Sequence, residues 1–177
     1  MSAIAQTAPD RLVTTYLQMT DPAHFRPAFS DDHRAVIRRM DRPDTAFYRF
    51  LYGEVGREWR WRDRLLLSDD ELFDLLAQPS TTVYVLYVDG APAGYVELNK
   101  QGDETEIAYF GLRAAYQGSG YGKHLLSYGI AQAWAGGARR VWLHTCNLDS
   151  PHALSNYLKR GFSIHHVDER PMPARYS

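Results

Sequence analysis

The sequence predicts one α/β (α+β) domain with a mixed sheet flanked by helices, and three observations carry that prediction. Strand-like and helix-like segments are mixed along the chain, in the order strand, two or three helices, three strands, helix, strand, helix, strand. No repeat or linker interrupts them. At 177 residues, 45% hydrophobic and 23% charged, the chain can bury a core without staples.

Residues 1–9 read as a loose tail, and RLVTTYLQM (11–19) as a strand rich in β-branched and aromatic side chains. A proline- and aspartate-rich stretch follows, with a short helix expected within 31–40. Over 43–56, Phe47, Phe50, Leu51 and Val55 recur at helical spacing between Pro43 and Gly56. Ser68 stands three residues before Glu71, a capping-box spacing that opens a second helix ending before Pro79.

The texture then turns to strands at 81–88, 93–99 and 104–112, the first two joined by an Asp89-Gly90 hairpin turn. QGSGYGKHLL (117–126) opens a helix with Leu125, Leu126, Ile130 and Trp134 on one side, closed by Gly136-Gly137. A strand (139–146), a helix (150–162) and a strand (163–168) complete the pattern. The PMPARYS tail is too proline-rich to predict as a strand.

The net charge of −1 gives no electrostatic reason to expect a nucleic-acid partner. Cys146 is the single cysteine, which excludes an internal disulfide framework and fits a reducing compartment. Neither Cys-x-x-Cys nor His-Glu-x-x-His occurs, so no metal site is expected. The start MSAIAQTAPD lacks a basic flank and a long apolar run, and no segment reaches the roughly 18 apolar residues of a membrane span. A soluble, cytoplasmic protein without a membrane partner is the expectation.

The glycine-rich stretch fails two phosphate-binding patterns. Gly118, Gly120 and Gly122 run Gly-x-Gly-x-Gly, not the dinucleotide Gly-x-Gly-x-x-Gly. Gln117 and His124 occupy positions where a P-loop needs glycine and a hydroxyl. What remains is a strand–turn–helix unit. It either offers free amides to a pyrophosphate or simply packs helix on sheet.

Gln117-x-x-Gly120-x-Gly122 after a strand resembles the acyl-CoA signature Arg/Gln-x-x-Gly-x-Gly/Ala of the GNAT superfamily of N-acetyltransferases. The later run Ala153…Tyr157-Leu-Lys-Arg-Gly161-Phe162 is similar to that family's Ala-x-x-x-Tyr-x-x-x-Gly-Phe, and the resemblance extends over about residues 80–165. It implies a mostly antiparallel, twisted sheet splayed at the acyl-CoA site, and acetyl-CoA as co-substrate with no metal. The coenzyme would meet Phe110, Gly111 and Leu112 at the strand end. It would also meet Gln117, Gly118, Ser119, Gly120, Tyr121, Gly122 and Lys123 in the loop. Gly111, costly in a strand, marks a bulge or a close approach of another backbone.

In the resemblance, a glutamate eleven residues before the signature Gln acts as base; here that is Glu106, with Glu97 as its competitor. Tyr157 is the implied acid for the leaving thiolate, and the backbone N–H of Leu112 the group polarising the acetyl carbonyl. Ser150 stands where the family usually has an asparagine touching the pantetheine. The family's closing strand is hard to find in the short C-terminal segment. It is either abbreviated or supplied by a partner chain, which leaves room for a homodimer.

The same resemblance implies that acceptor recognition falls to the helices about 30–78. Trp59 and Trp61 alternate there with Arg60, Arg62 and Arg64, downstream of Tyr48, Tyr52 and Glu54. This stretch is either a cage or clamp for a charged amine, or an amphipathic turn with its arginines in water. His144 is an acceptor-site candidate or a structural histidine. Cys146, with no Cys–His–Asp arrangement around it, is expected to be inert. A small primary amine such as an amino acid or a polyamine-like metabolite is the expected acceptor. The alternatives are a non-catalytic acyl-CoA sensor and a protein N-terminal or lysine acetyltransferase.

Overall fold

In the computed structural model, residues 8–176 are described; residues 1–7 of the expected tail lie outside them. Seven strands form one sheet in the order β2-β3-β4-β5-β6-β1-β7. They are β1 (Arg11–Met19), β2 (Ala35–Arg39), β3 (Thr81–Val88), β4 (Ala91–Gln101), β5 (Glu104–Leu112), β6 (Arg140–Cys146) and β7 (Ser163–Pro171). All neighbours are antiparallel except β5 and β6. The helices are α1 (Thr45–Gly56), α2 (Asp69–Ala77), α3 (Tyr121–Ala135) and α4 (Ala153–Lys159).

Local chemistry sets most of these boundaries. Asp44 caps α1 by accepting the Phe47 N–H at 2.9 Å. Ser68 and Glu71 form the reciprocal capping box of α2, at 2.7 and 3.2 Å. Asp89 (φ 50) and Gly90 (φ 80) are both left-handed, which matches the twist of the hairpin they join.

The helix expected within 31–40 is instead the strand β2. The Asp32 carboxylate accepts the Arg34 N–H at 3.0 Å and turns the chain, and the β-branched pair Val36-Ile37 then aligns with Tyr87 and Leu86 of β3. Pairing with a strand about fifty residues away outweighs the local helical spacing. The C-terminal strand is longer than expected and runs to Pro171, an allowed position because β7 is the sheet edge. The closing position between β6 and β7 is filled by β1 of the same chain, not by an abbreviated or borrowed strand.

Alternation along β4 feeds two cores. Val96 faces Leu125, Leu126 and Ile130 of α3, whereas Tyr95 faces Tyr48, Leu51 and Tyr52 of α1, with Leu72 and Leu76 of α2 behind them. Gly129 lets α3 close on the sheet: a Cβ there would stand 2.9 Å from Val96.

Candidate active site between diverging strands

Pairing of β5 with β6 covers only Glu104↔Arg140, Thr105↔Val141 and Glu106↔Trp142. Yet β5 continues to Leu112 and β6 to Cys146, so the two strands part beyond Glu106. Backbone groups that would have paired now face a cavity of about 700 Å³. That volume falls in the range of small-molecule sites. The cavity runs from the glycine loop, past Glu106, to the segment after α1.

At the loop end, Gly118 (φ 82) and Gly120 (φ 84) are left-handed, a conformation that side chains resist. Gly120 is the N-cap of α3 and offers no side-chain cap, so the helix presents its first amides toward the cavity mouth. Gln117, Gly122 and Lys123 line the same end. Free amides, a helix dipole and an ammonium together fit a pyrophosphate. Two loop residues do not face the cavity. Tyr121 is buried, with its hydroxyl donating to Asp32 at 2.8 Å, and Ser119 does not line the wall.

Phe110, Gly111 and Leu112 line the middle of the cavity. The close approach expected at Gly111 is made by a side chain: a Cβ there would stand 2.5 Å from Val55 of α1. The bulge of β5 lies elsewhere, where the register with β4 shifts between Glu97 and Leu98. Tyr157 and Ser150 line the opposite wall. The Tyr157 ring meets Phe110 edge-on at 6.3 Å, and burial, followed by the charge of Asp149, pushes its phenol upward.

Glu106 sits at the point where the strands part, its side chain 14% exposed. Burial raises its carboxyl above the usual value, the charge of Glu97 adds to the rise, and Arg64 opposes it. His144 Nε2 lies 3.8 Å from Glu106 Oε1, and burial holds this imidazole below its usual value, hence neutral at pH 7. The Cys146 thiol, raised to about 11 by burial, stays protonated.

Glu97 is placed differently. It is fully buried below the cavity, outside its lining, with both carboxylate oxygens engaged. Tyr48 donates to Oε1 at 2.6 Å, and Arg64 holds Oε2. Arg64 in turn lies over the Tyr109 ring at 5.0 Å.

The 57–66 stretch forms two short 3₁₀ turns joined through Arg60 in the left-handed region (φ 57), not an edge strand. Trp59, Trp61 and Tyr52 all reach the cavity. Trp61 packs flat on Gly56, where a Cβ would meet the indole at 2.5 Å, and its ring contacts Tyr52 and Tyr109 at 5.4 and 5.1 Å. Asp149 fastens the facing loop. It accepts from Thr145 Oγ1 at 2.7 Å, the Cys146 N–H at 2.9 Å and Trp61 Nε1 at 3.5 Å. Among the described residues no group of three or more His, Cys, Asp or Glu side chains could hold a metal, and no helix is long and apolar enough to cross a membrane.

Residues 44–162 match the acetyltransferase (GNAT) family. The chain belongs to the GNAT family of acetyltransferases. Among solved GNAT structures, that of Sphaerobacter thermophilus superposes with a TM-score of 0.68 at 15% identity, over 96% of this chain and 56% of that one. A Bacillus subtilis acetyltransferase in complex with CoA gives 0.58 at 25% identity, over 75% and 78% of the two chains. A mycothiol acetyltransferase from Corynebacterium efficiens is 36% identical over 85 residues, 48% of this chain. The chain spans 28% of that relative's length.

Proposed function

We propose that this chain transfers an acetyl group from acetyl-CoA to a primary amine of a small molecule, such as an amino acid or a polyamine-like metabolite. The observation that carries this reading is the placement of Glu106, half-way along one cavity between the amide-lined loop and an aromatic acceptor end.

Acetyl-CoA supplies the activated thioester. The amides at the start of α3, with Lys123 and Gln117, hold its pyrophosphate, and Phe110 to Leu112 and Ser150 border its arm. Glu106 takes the proton that the acceptor ammonium must lose before its nitrogen can attack. Its raised affinity for protons suits a base acting near neutrality. Tyr157 gives a proton to the departing sulfur. Its upward shift keeps the phenol protonated until then.

Glu97 serves as an anchor for Arg64, because its two oxygens already accept from Tyr48 and Arg64. Trp59, Trp61 and Tyr52 wall the acceptor end, which favours a compact amine over a peptide. The Corynebacterium efficiens relative is likewise named for a small molecule, mycothiol.

The test is thiol release from acetyl-CoA across a panel of amines, amino acids and peptides. Release with small amines that is lost in Glu106→Gln supports the proposal. Coenzyme binding without release for any acceptor would make the chain a sensor, and release with peptides alone would move the acceptor class to proteins.

A further inference from the structure

The chain leaves the sheet edge after β7 and crosses back over the acceptor end of the cavity. Tyr176 joins the lining there, beside Arg60 and Asp63. Polar contacts among the described residues hold it down. Arg60 donates to the Tyr176 carbonyl at 2.6 Å, Arg175 Nε to Asp63 Oδ1 at 2.8 Å, and the Tyr176 hydroxyl to Asp63 Oδ2 at 2.9 Å. The Arg175 guanidinium also lies over the Tyr176 ring at 4.5 Å.

Among the described residues, the backbone of this segment has few ties of its own. Met172 donates to the Asp10 carbonyl and Tyr176 to Pro173, while Pro171 and Pro173 have no N–H to give. Fastening therefore falls on side chains, and the Arg175–Asp63 pair is 42% and 45% exposed. Exposed pairs contribute little and weaken with salt. A wall of the cavity is thus attached in part by a pair that breaks at low cost, and Pro171 and Pro173, just before the moving piece, keep its root stiff.

We infer that residues 174–176 form a strap over the acceptor end, and that Tyr176 sets the size of amine the site admits. The inference rests on the acetyl transfer proposed above. Opened, the strap lets the acceptor reach Glu106. Closed, the Tyr176 ring covers the amine and keeps bulk water from the thioester.

The experiment compares wild type, Arg175→Ala and Tyr176→Ala with ethanolamine, an amino-acid amide, spermidine and an aminoglycoside. Both variants should raise kcat/KM for the largest acceptors relative to the smallest by about tenfold, the scale at which pocket contacts discriminate. They should also speed amine-independent hydrolysis of acetyl-CoA, with an unchanged KM for acetyl-CoA. Hydrogen exchange gives a readout free of turnover: amides of residues 60–66 and of Tyr176 should exchange faster in Arg175→Ala, and in wild type at high salt.

An unchanged size profile, or exchange equal in wild type and variant, overturns the strap. If wild type acetylates no amine at all, the transfer reading falls, and exchange alone then decides whether the strap exists.

Discussion

Arg64 reaches down from the cavity wall to Glu97, whose carboxylate is buried beneath the sheet's aromatic face. The pair is a floor for the aromatic end of the cavity, because Arg64 also carries the Tyr109 ring. Arg64→Met should destabilise the protein by about 3–5 kcal/mol, since it strands a buried charge. Arg64→Met combined with Glu97→Gln should recover part of that loss. Denaturant titration of the single and double variants measures both steps.

Glu106 makes two predictions with one substitution. Glu106→Gln should lower kcat by about 10²–10⁴-fold, the usual scale for a general base. Wild-type activity should fall as pH drops through a midpoint above the ordinary glutamate value of 4.5, because only the deprotonated form accepts the proton. The sign for stability is opposite. A carboxyl raised in the folded state stabilises fully below its unfolded value, and that contribution is lost as pH rises through the folded one. Glu106→Gln should therefore melt above wild type at pH 8, and the gap should close near pH 4.

Tyr157→Phe separates the proposed acid from the binding wall. The ring contact with Phe110 survives and only the hydroxyl is removed. Coenzyme affinity by calorimetry should hold, while kcat should drop by about 10²-fold or more.

Gly111 and Gly120 should fail in different ways. Gly111→Ala drives a methyl into Val55 and should cost about 1–3 kcal/mol of stability by overpacking. Gly120→Ala meets no backbone, yet it forces a side chain to φ 84, at about 1–2 kcal/mol. Its larger effect should be on coenzyme affinity, because the turn aims the α3 amides. Thermal melts and isothermal titration with CoA distinguish the two.

What the sequence made legible was local. The Ser68–Glu71 box, the Asp89-Gly90 turn and the helix opened by the glycine-rich turn at 117–122 each follow from residues within a few positions of one another. The strand β2 was hidden because its helical spacing is overruled by β3. Glu97 read as a second base because nothing near it in sequence announces Tyr48 and Arg64, the two partners that occupy it. Gly111 read as a bulge or a backbone approach, because the side chain it accommodates, Val55, belongs to a helix more than fifty residues earlier. Tyr176 escaped notice for the same reason: its partners lie at 60 and 63, over a hundred residues away.

The insertion of β1 between β6 and β7 also imposes a timetable on the ribosome. Thr14 aligns with Cys146 on one side and Asp168 on the other, so the strand finds neither neighbour until the last third of the chain has emerged. At about 5–20 residues per second that is a wait on the order of ten seconds. Leu12, Leu17 and Met19, all buried in the finished fold, spend it without their core. Three of the seven strands are thus committed only once residues 140–171 have been made, and a ribosome stalled before residue 140 would present an apolar strand for chaperones to hold.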